Sequence, residues 1–151
     1  MSVKVGDVMV RDVVTVTPDE SVKNAVRLMN EKEIGCVVVV KNDEPVGILT
    51  ERDILRKVII EGKNPDTTKV EEVMSTPIVT GTPTMTLEEA AKKLVLNRIK
   101  KLPIVERKKL VGIVTLFDIV RWHPVILSAI RKIVKSEELP PRIRRFLEEE
   151  M

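Results

Sequence analysis

At 151 residues the chain is long enough for one compact unit or two small halves, on a prior of roughly 100 to 200 residues per domain. Hydrophobic residues at 43% and charged residues at 32% exclude a disordered chain, and no apolar run approaches the roughly 18 residues of a membrane span. A net charge of +3 spread along the sequence, with only 2% aromatic residues, disfavours nucleic acid, which needs a basic face or stacking rings. The opening Met1-Ser2-Val3-Lys4-Val5 lacks the apolar stretch of a secretory signal, and a single cysteine forms no internal disulfide, so a cytoplasmic setting with no membrane partner is expected. One His and one Cys leave no zinc set, Cys-His dyad or Ser-His-Asp triad, and no Gly-rich phosphate loop is present, so the chain reads as no enzyme.

In chain order, Val13-Val14-Thr15-Val16 predicts a short strand that Thr17-Pro18-Asp19 ends, because proline cannot donate to a ladder. Ser21 is a good cap for a helix in which Val22, Ala25, Val26 and Met29 share one face. Residues 36–40 and 45–50, separated by Lys41-Asn42-Asp43-Glu44, predict a β-hairpin covered on both faces, and Ile54, Leu55 and Val58 continue as a second helix. Turn formers at 62–66 follow. The pattern then recurs, with Thr86 and Glu89 as a capping box, an apolar stripe of Leu87, Ala90, Ala91 and Leu94, a second hairpin over 102–105 and 110–115, and Ile119 and Val120 in a final helix.

A shift of 65 positions lays residues 5–56 on 70–121 without a gap, and 17 of the 52 aligned positions are identical. Val8-Met9 falls on Val73-Met74, Thr17-Pro18 on Thr82-Pro83, and Gly47-Ile48-Leu49-Thr50 on Gly112-Ile113-Val114-Thr115, with Asp53 on Asp118. The chain is therefore two copies of one β-α-β-β-α unit, each too small for a core of its own and expected to pack with approximate two-fold symmetry. The predicted division is a first repeat over 1–62, a linker over 63–69, a second repeat over 70–122 and a helical extension over 123–151. In that extension Ile126, Ala129, Ile130, Ile133 and Val134 share an apolar face, which covers the core or meets a partner.

The paired order of Val-x-x-Val-Met, Thr-Pro, an alanine-bearing helix, a hydrophobic strand and Gly-Ile-x-Thr-x-x-Asp-Ile resembles the tandem CBS domains, whose pair is called a Bateman module. The resemblance covers residues 5–121. It implies an α/β (α+β) fold of two CBS-type repeats with pseudo-two-fold symmetry plus the C-terminal helical tail. It further implies a non-catalytic sensor of adenosyl ligands, AMP, ADP, ATP or S-adenosylmethionine, bound in clefts between the repeats with no cofactor required. A homodimer and a regulated partner protein are further implications. The alternatives are a regulatory subunit acting mainly by protein contact and a sensor for an S-adenosylmethionine-type ligand.

Read from the residues alone, Thr50-x-x-Asp53 and Thr115-x-x-Asp118 are helix-capping boxes. Read with the resemblance, the same turns bring a hydroxyl to a helix start beside a phosphate and a carboxylate to the vicinal hydroxyls of a ribose. The sugar then falls to Asp53 and Asp118, and the phosphate to Thr50, Thr115, Arg52, Lys100 and Lys101. The base lies against Thr17, Val22, Ile34 and Cys36, or against Thr82, Leu87, Ile99 and Lys101. Gly47 and Gly112 are expected where backbone approaches closely. Because Arg52 has Phe117 as its counterpart in the other copy and Lys100-Lys101 have Gly35-Cys36 as theirs, the two clefts are expected to differ in their preference for phosphate.

Overall fold

A computed structural model describes residues 3–122 together with positions 132, 141 and 145. The apolar stripe expected over 126–134 lies outside the described residues. The first copy comprises α1 (Val5–Val8), β1 (Thr15–Val16), α2 (Val22–Lys32), β2 (Cys36–Lys41), β3 (Glu44–Thr50) and α3 (Glu51–Ile54). The second comprises α4 (Val70–Val73), α5 (Leu87–Leu96), β4 (Lys101–Glu106), β5 (Lys109–Thr115) and α6 (Leu116–Arg121). The helix expected through Ile54, Leu55 and Val58 is present, but it widens after α3 into a π-helical turn over Leu55–Ile59.

Local chemistry accounts for most of these elements. Ser21 Oγ accepts from Asn24 N at 3.1 Å and starts α2, whose Val22, Ala25 and Met29 turn inward while Val26 stays exposed. Thr86 caps α5 in the same way at 3.1 Å, but Glu89 does not return the bond, so the expected capping box is a plain N-cap. The linker is not slack: Val22 N donates to Thr68 O and Lys23 N to Pro65 O, so linker carbonyls satisfy the free donors at the start of α2. Both hairpins close through residues in the left-handed region, Asn42 and Asp43 in one and Arg107 and Lys108 in the other, the turn whose twist matches its strands.

The two sheets differ for one readable reason. In the first copy β1 pairs parallel with β2, Thr15 beside Val38 and Val16 beside Val39, and Val38 N donates to Val14 O at 3.3 Å. The run expected to be strand over 13–16 thus narrows to Thr15–Val16. In the second copy Pro103 stands where Val38 does and has no N–H to give. There the pairing shrinks to a single parallel bridge, Gly81 to Ile104, in the same register.

Two hydrophobic cores form, and each draws on both copies. Val16, Val22, Ala25, Met29, Val37, Val39, Leu49 and Val58 of the first copy enclose Val70 and Val73 of α4. Ala90, Leu94, Leu102, Ile104, Val114 and Ile119 of the second enclose Val5 of α1 and the adjoining Met9. The leading helices are therefore exchanged. Backbone bonds repeat the exchange symmetrically: Val5 N to Met85 O matches Val70 N to Glu20 O, and Gly6 N to Pro83 O matches Glu71 N to Pro18 O. The bridges Val10 to Ile113 and Ser75 to Ile48 form a further matched pair. This reciprocity is the approximate two-fold symmetry expected from the repeat.

Gly47 and Gly112 sit where the exchanged segments press closest, as the sequence leads one to expect. A Cβ on Gly112 would lie 2.4 Å from Met9 Sδ and 3.1 Å from Val10 O, and one on Gly47 would lie 2.5 Å from Met74 Sδ. Overpacking of this kind costs about 1 to 3 kcal/mol. Gly112→Ala is expected to lower stability in urea denaturation by that amount, and to cost less in a Met9→Ala background, where the obstructing sulfur is gone.

Candidate functional site

At the end of β3 the chain turns into α3 through a reciprocal box. Asp53 Oδ2 accepts from Thr50 N at 3.0 Å and from Thr50 Oγ1 at 3.0 Å, while Asp53 N donates to Thr50 Oγ1 at 3.2 Å. The other oxygen, Oδ1, accepts from Ser75 Oγ at 2.7 Å and lies 3.1 Å from Lys57 Nζ, which also donates to Val73 O at 3.1 Å. Ser75 and Val73 belong to the second copy, so this buried carboxylate clamps the end of α4 onto α3. Burial pushes the Asp53 carboxyl up, but the bonds from Ser75, the Thr50 N–H, Lys57 and the Thr50 hydroxyl outweigh it and hold the group below the usual carboxylate range.

The matching turn at the end of β5 has the same backbone and different company. Thr115 N donates to Asp118 Oδ2 at 2.9 Å, and Asp118 N donates to Thr115 Oγ1 at 3.1 Å. The positions equivalent to Ser75 and Lys57 hold Val10, whose side chain has no donor, and Trp122, which lacks the ammonium of Lys57 and whose indole N–H makes no bond to Asp118 among the described residues. Among the described residues Asp118 Oδ1 has no hydrogen-bond or ion-pair partner, and the residue is half-buried.

Around these turns, Lys101 stands opposite Thr115 in the β4–β5 register, and Cys36 stands opposite Thr50 in the β2–β3 register. Lys101 reaches back to Cys36, whose thiol is pushed up by burial against the opposing pull of that lysine. The pair joins the equivalent strand starts of the two copies. Lys100 and Arg52 are exposed. Thr17 is exposed and donates to Asp19 Oδ1 at 2.7 Å, and Thr82 is exposed beside Thr84. Ile34, Leu87 and Ile99 are partly buried against the cores, whereas Val22 is wholly buried inside the first core and presents no surface.

Two concavities stand out; neither is lined by the Thr or Asp of a Thr-x-x-Asp turn, although Glu51 of the first turn borders the larger one. One, of about 410 Å³, lies at the hairpin-turn end between Arg11, Val13, Thr15, Asp43 and Lys109. The other, of about 580 Å³, runs between α2 and α3 and includes Ile34. Sequence reasoning missed Ser75 and Lys57 as the partners that occupy Asp53. The signal was the repeat itself, in which Ser75 falls on Val10 and Lys57 on Trp122. Among the described residues no group of His, Cys, Asp and Glu is arranged to hold a metal ion, and no helix is long and apolar enough to cross a membrane.

The family model for the CBS domain matches residues 5–60 and 70–124. An uncharacterized protein of Methanopyrus kandleri is 44% identical over 142 residues, spanning 91% of this chain and 72% of that protein. Inosine-5'-monophosphate dehydrogenase of Methanocaldococcus jannaschii is 39% identical over 120 residues, which are 78% of this chain and only 23% of the enzyme. Among solved structures, a hexameric CBS-CP12 protein from bloom-forming cyanobacteria superposes with a TM-score of 0.72 at 30% identity, covering 89% of this chain and 82% of that one.

The different surroundings of the two aspartates lead to distinct outcomes. A carboxyl held low in the folded state adds stability that is present above its unfolded value of about 3.9 and is lost as pH falls through the lower folded value. Asp53→Asn is expected to cost about 1 to 3 kcal/mol at pH 7 and to flatten the acid limb of a stability-against-pH curve measured in urea, while Asp118→Asn costs less stability at pH 7. Cys36, with its thiol pushed up, should react with iodoacetamide at pH 8 more slowly than a free cysteine until urea exposes it.

Proposed function

The chain belongs to the CBS-domain family, and on that premise we propose that it is a regulatory module without catalysis of its own, which holds an adenosyl ligand where Asp118 stands. Paired CBS domains commonly serve as regulatory modules, and the match to less than a quarter of a larger enzyme fits a unit that accompanies catalysis. The observation that carries the reading is the Asp118 oxygen that has no partner among the described residues. The equivalent oxygen of Asp53 is filled by Ser75 and Lys57, so one carboxylate is committed to the fold and the other is free to accept from a ribose.

In this reading Asp118 accepts from the vicinal hydroxyls of the sugar, and Thr115 stands beside it at the start of α6. Lys101, opposite Thr115 in the register, meets the phosphate with Lys100, which favours AMP, ADP or ATP over a ligand with no phosphate. The base lies toward Cys36, Ile34 and Thr17, with Thr82, Leu87 and Ile99 taking the equivalent places in the other cleft beside Thr50, Arg52 and Asp53. The module works in the cytoplasm, associates with itself and passes ligand occupancy to a partner protein.

Isothermal titration with AMP, ADP, ATP, S-adenosylmethionine and adenosine tests the proposal. Loss of a charge-assisted hydrogen bond of roughly 1.5 to 3 kcal/mol means that Asp118→Ala weakens the bound nucleotide about ten- to hundred-fold, whereas Asp53→Ala acts chiefly on stability. Replacing Lys100 and Lys101 together by Ala should weaken AMP far more than adenosine and reduce the salt dependence of binding. Absence of binding by all five ligands, or an Asp118→Ala variant with undiminished affinity, would refute it.

A further inference from the structure

At the ends of β3 and β5 away from the two Thr-x-x-Asp turns, the hairpin turns of the two copies meet. Lys109 Nζ donates to Asn42 O at 2.6 Å and Leu110 N to Asp43 O at 3.1 Å. Beside this junction lies the cavity of about 410 Å³, within the roughly 300 to 1,000 Å³ of small-molecule sites. Val13, Val40 and Leu110, all partly buried, form its apolar wall, and Arg11, Thr15, Asp43 and Lys109 add polar groups. The Arg11 side chain gives one hydrogen bond, to Gly6 O at 3.2 Å, and neither Arg11 nor Lys109 makes an ion pair among the described residues. The Asp43 carboxylate and the Thr15 hydroxyl have no partner among those residues either.

We infer that this cavity binds a free α-amino acid with an apolar side chain. Two cations and one carboxylate line a single space without pairing with one another, so it offers separate places to a negative and a positive group. A simple anion would meet Arg11 and Lys109 but also face Asp43, and a simple amine would meet Asp43 but face both cations; like-charge contact of this kind is costly. An α-amino acid at neutral pH carries both charges on groups attached to one carbon. Its carboxylate accepts from Lys109, the Thr15 hydroxyl and the Arg11 guanidinium, a fork suited to two parallel bonds, while its ammonium donates to Asp43. The side chain lies against Val13, Val40 and Leu110. The site occurs once per chain, because the shift of 65 puts Thr76, Lys108 and Glu44 at the positions of Arg11, Asp43 and Lys109, removing or reversing each charge. No nucleotide is needed for it.

Isothermal titration of the full chain, free of nucleotide, with L-leucine, L-methionine and L-phenylalanine tests it. At least one of the three is expected to bind, at one molecule per chain. For leucine the controls are 4-methylpentanoate, which lacks the ammonium, and 3-methylbutylamine, which lacks the carboxylate; each deletes one charged half of the ligand and should bind about tenfold or more weakly, and the corresponding acid and amine serve for the other two. Arg11→Met and Asp43→Asn should each weaken the amino acid by a similar factor, with circular dichroism to confirm the fold; asparagine accepts the left-handed backbone that Asp43 adopts. Absence of binding by all three amino acids, an acid that binds as tightly as its amino acid, or an Asp43→Asn variant with undiminished affinity would overturn the inference.

Discussion

The exchange of the leading helices is the contact on which the rest of the structure depends. α1 and α4 are only four residues each, far too short to hold a helix by themselves. They persist because Val5 with Met9, and Val70 with Val73, complete the core of the opposite copy. The same exchange brings Val10 beside Ile113 and Ser75 beside Ile48, and so determines what each aspartate at the next turn will meet. Gly47 and Gly112 leave room for the methionines that arrive with the helices. A side chain at either glycine would push the exchanged segment away from the turn it organises.

With the backbone fixed in duplicate, the two Thr-x-x-Asp turns diverge through two side chains. Ser75 and Lys57 saturate Asp53, and burial of that carboxylate is tolerable because its lost hydration is replaced by several donors. Val10 has no side-chain donor and Trp122 carries no positive charge, and neither bonds Asp118 among the described residues. Duplication followed by local change has thus given one motif two surroundings: one in which the carboxylate holds the copies together, and one in which an acceptor oxygen is left without a partner among the described residues. The plain reading of the motif as a helix cap holds in both places, since the reciprocal bonds are there. It is the remaining oxygen that distinguishes them.

Much of this was legible in the sequence. The shift of 65 exposed the duplication, the apolar runs gave the hairpins, and Ser21 and Thr86 marked helix starts through short-range chemistry. The leading helices were not legible, because four residues contain no periodicity to read and their burial comes from a distant segment. The shorter first strand of the second copy was readable in principle from Pro103, whose missing N–H lies in the sequence for anyone who pairs it with Val38. The occupation of Asp53 was hidden for a different reason: Ser75 lies 22 positions away, and only the exchange brings the two together. Val22, read as a wall for the base, is held by the same apolar stripe that fills the core.

Because each copy completes the other, the two repeats stand to one another as the subunits of an obligate dimer whose chains have been joined. The joining segment, with Gly62 in the left-handed region and Asp66 paired to Lys23, turns what would be a concentration-dependent encounter into an intramolecular one, at an effective concentration set by its length. Assembly of the cores is then independent of how much protein is present. Covalent linkage also frees the two halves from identity: an association of separate identical chains would give both aspartates the same neighbours, whereas the fused pair can alter one and keep the other.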